Sequence, residues 1–267
     1  MRAAAVHELR LFFVALQLLT RVPVPRWVGW QPGWLNDSVR HLPTVGLFVG
    51  GCVALVLAGA ARCWPPTVAA LLAVAAGVWL CGAFHEVGLA DTFDALGGSV
   101  PRDKALLIMK DSRIGTYGAA ALVLVLGLRV ALLAALLQRG ALPAALALVG
   151  ANVLGRSCAV AVMAWLPYAG DAEHAKAKPL ATAVRPGSAA AAAGLAAVMA
   201  AGLAACDADG TARAWAWAWA VAGAATGAVA LAMRRWLGQR LGGYTGDTLG
   251  ATEQLAEVAV LLALAAA

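Results

Sequence analysis

The sequence predicts an all-α fold, a polytopic transmembrane helical bundle of about seven membrane helices with a short N-terminal interfacial or re-entrant helix. Three observations lead there. The chain is 267 residues long, 62% hydrophobic and only 13% charged, where soluble domains carry about a quarter charged residues. Its mean hydropathy is +0.79. Apolar runs long enough to cross a bilayer as helices recur along it, and helices satisfy their own backbone polar groups in lipid.

Seven runs qualify, at about 43–61, 66–84, 117–138, 141–166, 188–206, 214–233 and 252–267. The stretch 9–20 is too short for a confident crossing and is assigned to the membrane interface or to a re-entrant turn. It starts near Met1-Arg2 like a signal peptide, but no small-residue cleavage site follows, so the segment is expected to be retained. Residues 21–41 carry Pro23, Pro25 and Pro32 with Trp27, Trp30 and Trp34, the composition of a membrane-surface loop. Gly46 and Gly50 would let a neighbouring helix approach 43–61. Arg129, in the third run, needs a carboxylate partner or must snorkel. Asn152 and Arg156 share a helix face at i, i+4, either for an interhelical hydrogen bond or to turn a cation toward a cavity. Trp215, Trp217 and Trp219 alternate as in a strand, but in so long an apolar run an outer aromatic belt is the better reading.

With seven crossings the loops alternate between two sides. One side collects Arg21, Arg26, Arg40, Arg102, Lys104, Lys110, Arg113, Lys176, Lys178, Arg185, Arg234, Arg235 and Arg240; the other has Arg62, Arg139 and Arg213. This asymmetry obeys the positive-inside rule and places the first set in the cytoplasm. The net charge of +6 therefore reads as topology and attraction to anionic lipid or phosphates, with no call for nucleic acid. Cys52, Cys63, Cys81, Cys158 and Cys206 lack metal or disulfide spacing and read as packed thiols.

One integral membrane domain, 1–267, is expected, with cytoplasmic polar inserts at about 85–116, 167–187 and 234–251. The first carries the chemistry. Asp91 and Asp94, at i, i+3, lie on one side of a helix, and such a pair is unfavourable unless a cation sits with it. Hard oxygen ligands of this kind suit magnesium or manganese bridging to substrate phosphates. Lys110-Asp111-Ser112-Arg113, with Gly115 and Gly118, offers cations and approachable backbone amides to a phosphate. The second insert, with Asp171, Glu173, His174, Lys176 and Lys178, suits a mobile lid or a solvated connector. In the third, Asp247 is positioned to cap the last helix. Glu253 and Glu257 enter that helix on one face and need Arg156, Arg129 or a metal as partner.

Three motifs, His85-Glu86-Val87-Gly88-Leu89-Ala90-Asp91-Thr92-Phe93-Asp94, Met109-Lys110-Asp111-Ser112-Arg113-Ile114-Gly115-Thr116-Tyr117-Gly118 and Gly243-Tyr244-Thr245-Gly246-Asp247-Thr248-Leu249-Gly250-Ala251, occur in that order. Together they resemble the cobalamin synthase family, the membrane-bound adenosylcobinamide-GDP ribazoletransferases of vitamin B12 assembly. The resemblance implies transfer of the cobinamide phosphate from adenosylcobinamide-GDP to the 3′-hydroxyl of α-ribazole or α-ribazole 5′-phosphate, with release of GMP. It implies Mg2+ as cofactor, held by Asp91 and Asp94, with Asp111 and Asp247 as further ligands or water holders. Lys110 and Arg113 would hold the GDP phosphates, Arg156 and Glu253 would line the cavity wall, and His85 or Asp94 would take the acceptor proton. The setting it implies is a bacterial cytoplasmic (inner) membrane with the active site facing the cytoplasm; a homo-oligomer is compatible with it. One departure stands out: Val87 occupies a position where the family usually has Asp, on the same helical face as Asp91 and Asp94. Ala95 likewise replaces the usual Gly.

Two other classes use similar parts. A CDP-alcohol phosphotransferase is also a membrane bundle with Asp and magnesium, but its D-G-x-x-A-R and G-x-x-x-D-x-x-x-D signature is missing from this chain. A transporter would show repeated halves, and none is detectable.

Overall fold

The computed structural model describes residues 2–170, 182–206 and 212–266. The lid or connector expected around Asp171, Glu173, His174, Lys176 and Lys178 lies outside the described residues. The described chain is helical throughout, with an isolated bridge between Tyr168 and Tyr244.

The N-terminal helix α1 spans Arg2–Leu19, longer than the expected 9–20, because Ala3, Ala4, Ala5 and Val6 extend it toward the N-terminus. Residues 21–41 fold back on it through the short helix α2, Trp34–Ser38. Val28 and Leu35 pack against Val14, while Trp27 and Trp30 stay exposed as expected of an interfacial loop.

Then α3, Leu42–Ala60, opens with Pro43 in its first turn, where a missing N–H costs nothing. Helix α4, Pro66–Cys81, is followed after a bend of 89° by α5, Phe84–Leu96. The expected continuous span 66–84 is therefore broken. At 16 residues α4 is about 24 Å long, short of a hydrocarbon core of about 30 Å. The bend is made by Gly82 and Ala83, both left-handed at φ 66 and 58. Glycine is at ease there; an alanine is not and must be held by its surroundings.

The rest follows as α6 (Arg102–Lys110), α7 (Thr116–Arg139), α8 (Ala141–Trp165), α9 (Pro186–Ala205), α10 (Ala212–Arg240) and α11 (Gly246–Ala266). Among the described residues six helical stretches are long and apolar enough to cross a membrane, seven with the bent pair counted as one. The chain is a multi-pass membrane protein. The connector expected over 234–251 shrinks to 241–245, because α10 continues through Arg234 and Arg235, and α11 begins before its apolar run.

Close helix approach rests on glycine. A Cβ on Gly46 would overlap the backbone carbonyl of Asn152, and one on Gly50 would come within 2.8 Å of Val149 Cα, so the partner of that glycine pair is α8. Gly150 of α8 accepts the ring of Trp219. Trp219 is thus a core residue, only 5% exposed, while Trp217 is 70% exposed. The thiol expectation also divides: Cys81 and Cys158 are buried, Cys63 and Cys206 exposed.

At one end of the bundle the connections are tied together by arginines donating to carbonyls. Arg102 Nε donates to Leu241 O at 2.7 Å, and Arg240 donates to Leu96 O at 3.0 Å and Gly98 O at 2.7 Å. The amide of Tyr244 donates to Pro167 O at 2.9 Å, and that of Ala169 to Tyr244 O at 2.8 Å. Arg185 pairs with Asp37 at 3.1 Å. At the opposite end Arg139 donates to Leu264 O and Ala265 O.

Candidate active site

Helix α5 organises the polar end. Positions 87, 91 and 94 share one face, and the structure leaves it open: Val87 is 52% exposed, with Asp91 and Asp94 half-buried. The opposite face, with His85, Gly88, Leu89 and Thr92, is buried. Nine residues, two and a half turns, separate His85 from Asp94, which sets them on opposite sides of the helix. His85, expected at the membrane edge as a base, instead lies in the core with Nδ1 3.9 Å from Glu253 Oε2.

Asp94 receives two backbone amides. Gly115 N donates to Oδ2 and Gly118 N to Oδ1, both at 2.7 Å. The amides expected to approach a substrate phosphate at the start of α7 are thus taken by this carboxylate, which provides the negative charge a helix N-terminus favours. Both glycines are required, since a Cβ on either would overlap the Asp94 carboxylate.

The third motif reaches α5 by the same device. A Cβ on Gly88 would come within 2.7 Å of Asp247 O and 3.2 Å of Gly250 Cα, so α11 begins in contact with α5 one turn before Asp91. The cap of α11 is not Asp247. Thr245 takes that role: its Oγ1 accepts from Thr248 N at 3.3 Å, while Thr248 Oγ1 accepts from Thr245 N at 2.9 Å.

The loop between α6 and α7 carries the cations. Arg113 is 87% exposed at its side chain and binds Asp111 through Nη2 to Oδ2 at 2.6 Å, with Nε also within 3.1 Å. This pairing raises the Arg113 pKa. Asp111, expected as a metal ligand or water holder, is the carboxylate partner of Arg113 in this pair. Lys110 ends α6 beside it, half-buried.

Arg156 and Glu253 are not at the open face. Arg156 Nη1 lies 2.9 Å from Glu253 Oε1 and 3.7 Å from Glu257 Oε1, and donates to Asn152 Oδ1 at 2.9 Å. Arg129 Nη2 lies 2.6 Å from Glu257 Oε2, and Nη1 is 3.7 Å from Glu86 Oε1. All five charged groups are at most 8% exposed. Asn152 bonds within α8, donating to Leu148 O at 3.0 Å and accepting from Arg156, and not between helices as expected, whereas Arg129 finds the carboxylate its setting required. Sequence reasoning missed Gln254, whose Oε1 accepts from Arg129 at 2.8 Å and whose Nε2 donates to Glu86 at 3.2 Å. Its signal was an amide between two acids in an apolar helix. The cavity inside this network holds about 20 Å³, room for about one water. A second, bordering Arg156, Glu253 and His85, holds about 40 Å³. Neither volume admits a nucleotide.

Magnesium commonly takes one or two carboxylates and completes its shell with water and substrate phosphates. Among the described residues no group of three or more His, Cys, Asp or Glu converges as a metal cage. Asp91 on α5 and Asp247 at the start of α11 are oxygen donors of the kind that sparser pattern uses.

The family model described as cobalamin-5-phosphate synthase matches residues 11–265. The chain belongs to that family. Among its relatives, the adenosylcobinamide-GDP ribazoletransferase of Leptothrix cholodnii is 55% identical over 97% of this chain and 96% of its own. Those of Albidiferax ferrireducens and Shewanella piezotolerans are 43% identical over 96% and 98%, and 37% over 97% and 95%, of the two chains respectively. No solved structure matches. This cobalamin-5-phosphate synthase family member is a transferase of cobalamin biosynthesis, and its open α5 face carries Val87 beside the two aspartates.

Proposed function

We propose that the chain transfers the cobinamide phosphate of adenosylcobinamide-GDP to the 3′-hydroxyl of α-ribazole or its 5′-phosphate, forming adenosylcobalamin or its 5′-phosphate and releasing GMP. The names of its relatives support the reaction. The observation that carries the site is the exposed carboxylate face of α5, joined to the cation-bearing loop of α6 and α7 by the two amides on Asp94.

The acceptor hydroxyl gives its proton to Asp94, the expected base that lies on the open face, while its oxygen bonds to the cobinamide phosphorus and the bond from that phosphorus to the GMP oxygen breaks, so GMP leaves with the electron pair. Such a transfer asks the protein mainly for positioning and charge neutralisation. Arg113, aimed by Asp111, and Lys110 bind the diphosphate and meet the charge that grows on GMP. Asp94 positions the loop on which they stand. Asp91 and Asp247 would hold magnesium, which would supply positive charge against the diphosphate. Arg129, Glu257, Arg156 and Glu253 lock α7, α8 and α11 together beneath α5 and act through it. The positive-inside pattern supports a cytoplasmic face of a bacterial inner membrane.

GMP release by the detergent-purified protein, with both substrates across a magnesium titration, tests the reading. Turnover is expected to require magnesium and to fall at least a hundredfold in Asp91→Ala. Magnesium-independent turnover would remove the cation from the proposal, and no GMP from active, folded protein would remove the reaction.

A further inference from the structure

An apolar groove runs on the outside of the bundle between α4 and α7, enclosing about 1050 Å³. Leu71, Val78 and Trp79 form one wall, and Leu126, Gly127 and Ala131 the other. It faces outward, with Leu71 56% and Trp79 70% exposed. A Cβ on Gly127 would meet nothing within 4 Å, so this wall is not packed by the chain's own side chains. From Thr67 to Trp79, which both line it, the groove follows α4 for about 18 Å, close to the hydrocarbon depth of one leaflet.

One end of this groove is charged. Arg21 lines it beside Gly82, at the end of α4 where the chain bends. Its backbone amide donates to Leu80 O at 2.9 Å, and a Cβ on Gly82 would lie 2.7 Å from its Nε. The guanidinium is therefore seated against the backbone by a glycine. Among the described residues Arg21 makes no ion pair, in contrast to Arg40, Arg113, Arg129, Arg156 and Arg185, which all have carboxylate partners.

A leaflet-long apolar trough with a cation at its end is the complement of a phospholipid with an anionic headgroup. We propose that this groove binds an anionic phospholipid, its phosphate on Arg21 and an acyl chain along Leu71, Val78 and Gly127. A zwitterionic lipid fills the trough equally well but brings its own cation to the headgroup, so discrimination rests on Arg21.

The full-length protein, purified in mild detergent and partly delipidated, would be titrated with phosphatidylglycerol or phosphatidylcholine and bound lipid counted by native mass spectrometry. Wild type is expected to retain phosphatidylglycerol preferentially, and Arg21→Gln to weaken that preference about fivefold. Arg21→Lys should keep most of it. Gly127→Leu, which fills the trough, should lower retention of both lipids, with thermal unfolding as the check that each variant is folded. Equal retention of the two lipids by wild type, or a preference unchanged in Arg21→Gln, overturns the proposal. So does a dimer that Gly127→Leu dissociates while lipid retention is unaltered, which would give the groove to a second copy of the chain.

Discussion

The amide of Gly118 donates to Asp94 Oδ1 at 2.7 Å, across 24 residues of chain. With the matching bond from Gly115 to Oδ2, a residue marked by its spacing as a metal ligand becomes the anion at the start of a transmembrane helix. The same carboxylate thereby fixes the loop bearing Lys110, Asp111 and Arg113 against the helix bearing Asp91. A carboxylate has about four acceptor sites, so two amides do not exhaust it, but they decide where it points.

Asp94→Ala removes both acceptors, one from an exposed amide and one from a partly buried amide. A loss of about 2 kcal/mol or more is expected from two charge-assisted bonds, together with faster hydrogen exchange at Gly115 and Gly118. Unchanged exchange would mean that the bonds do not hold the loop.

Gly118→Ala and Gly127→Ala make an internal contrast within α7. At 118 the new methyl would run into the Asp94 carboxylate and the Ala90 carbonyl, whereas at 127 it meets open space. Thermal unfolding should fall for the first by the equivalent of about 1–3 kcal/mol, and stay level or rise for the second. A similar response at both sites would refute the close approach.

The buried network has an uneven charge count, Glu86, Glu253 and Glu257 facing Arg129 and Arg156. Removing a cation deepens the imbalance, and removing Glu86 relieves it. Arg129→Gln should therefore cost about 3–5 kcal/mol. Glu86→Gln should cost well under half of that, because Oε2 of Glu86 has no hydrogen-bond partner to lose. Chemical denaturation of the two variants in one detergent decides between this ordering and its reverse.

Val87→Asp would place a third carboxylate on the exposed α5 face. Without magnesium, three acids on one face repel, and the unfolding temperature should drop by a few degrees. Magnesium should restore it at a lower concentration than wild type needs for half-maximal turnover. If the temperature does not respond to the cation, position 87 lies outside any metal shell.

Much of the fold was legible because lipid imposes a simple rule: uninterrupted apolar length means a spanning helix. The runs that became α3, α7, α8, α9, α10 and α11 were found on that rule, and the Gly46 and Gly50 spacing announced a helix contact. The break after Cys81 was not legible, since Gly82-Ala83 lies inside a run of unbroken hydrophobicity and its left-handed geometry is a tertiary outcome. Trp219 was read as interfacial because hydropathy does not reveal that Gly150 leaves a recess for its ring.

The sequence by itself determined the membrane architecture, the three polar motifs and the family to which they point, because these depend on composition, order and residue type. It also required partners for Arg129, Glu253 and Glu257, since unpaired charge in a membrane interior is costly. Tertiary structure alone decided how the acids are divided. It gave Asp94 to the amides of α7 and Asp111 to Arg113. It buried His85, Arg156 and Glu253 beneath the site, and brought α11 onto α5 at Gly88. Each of these outcomes turns on which helix faces meet, and a glycine contact or a bend between two helices fixes that across distances to which local residue spacing is blind.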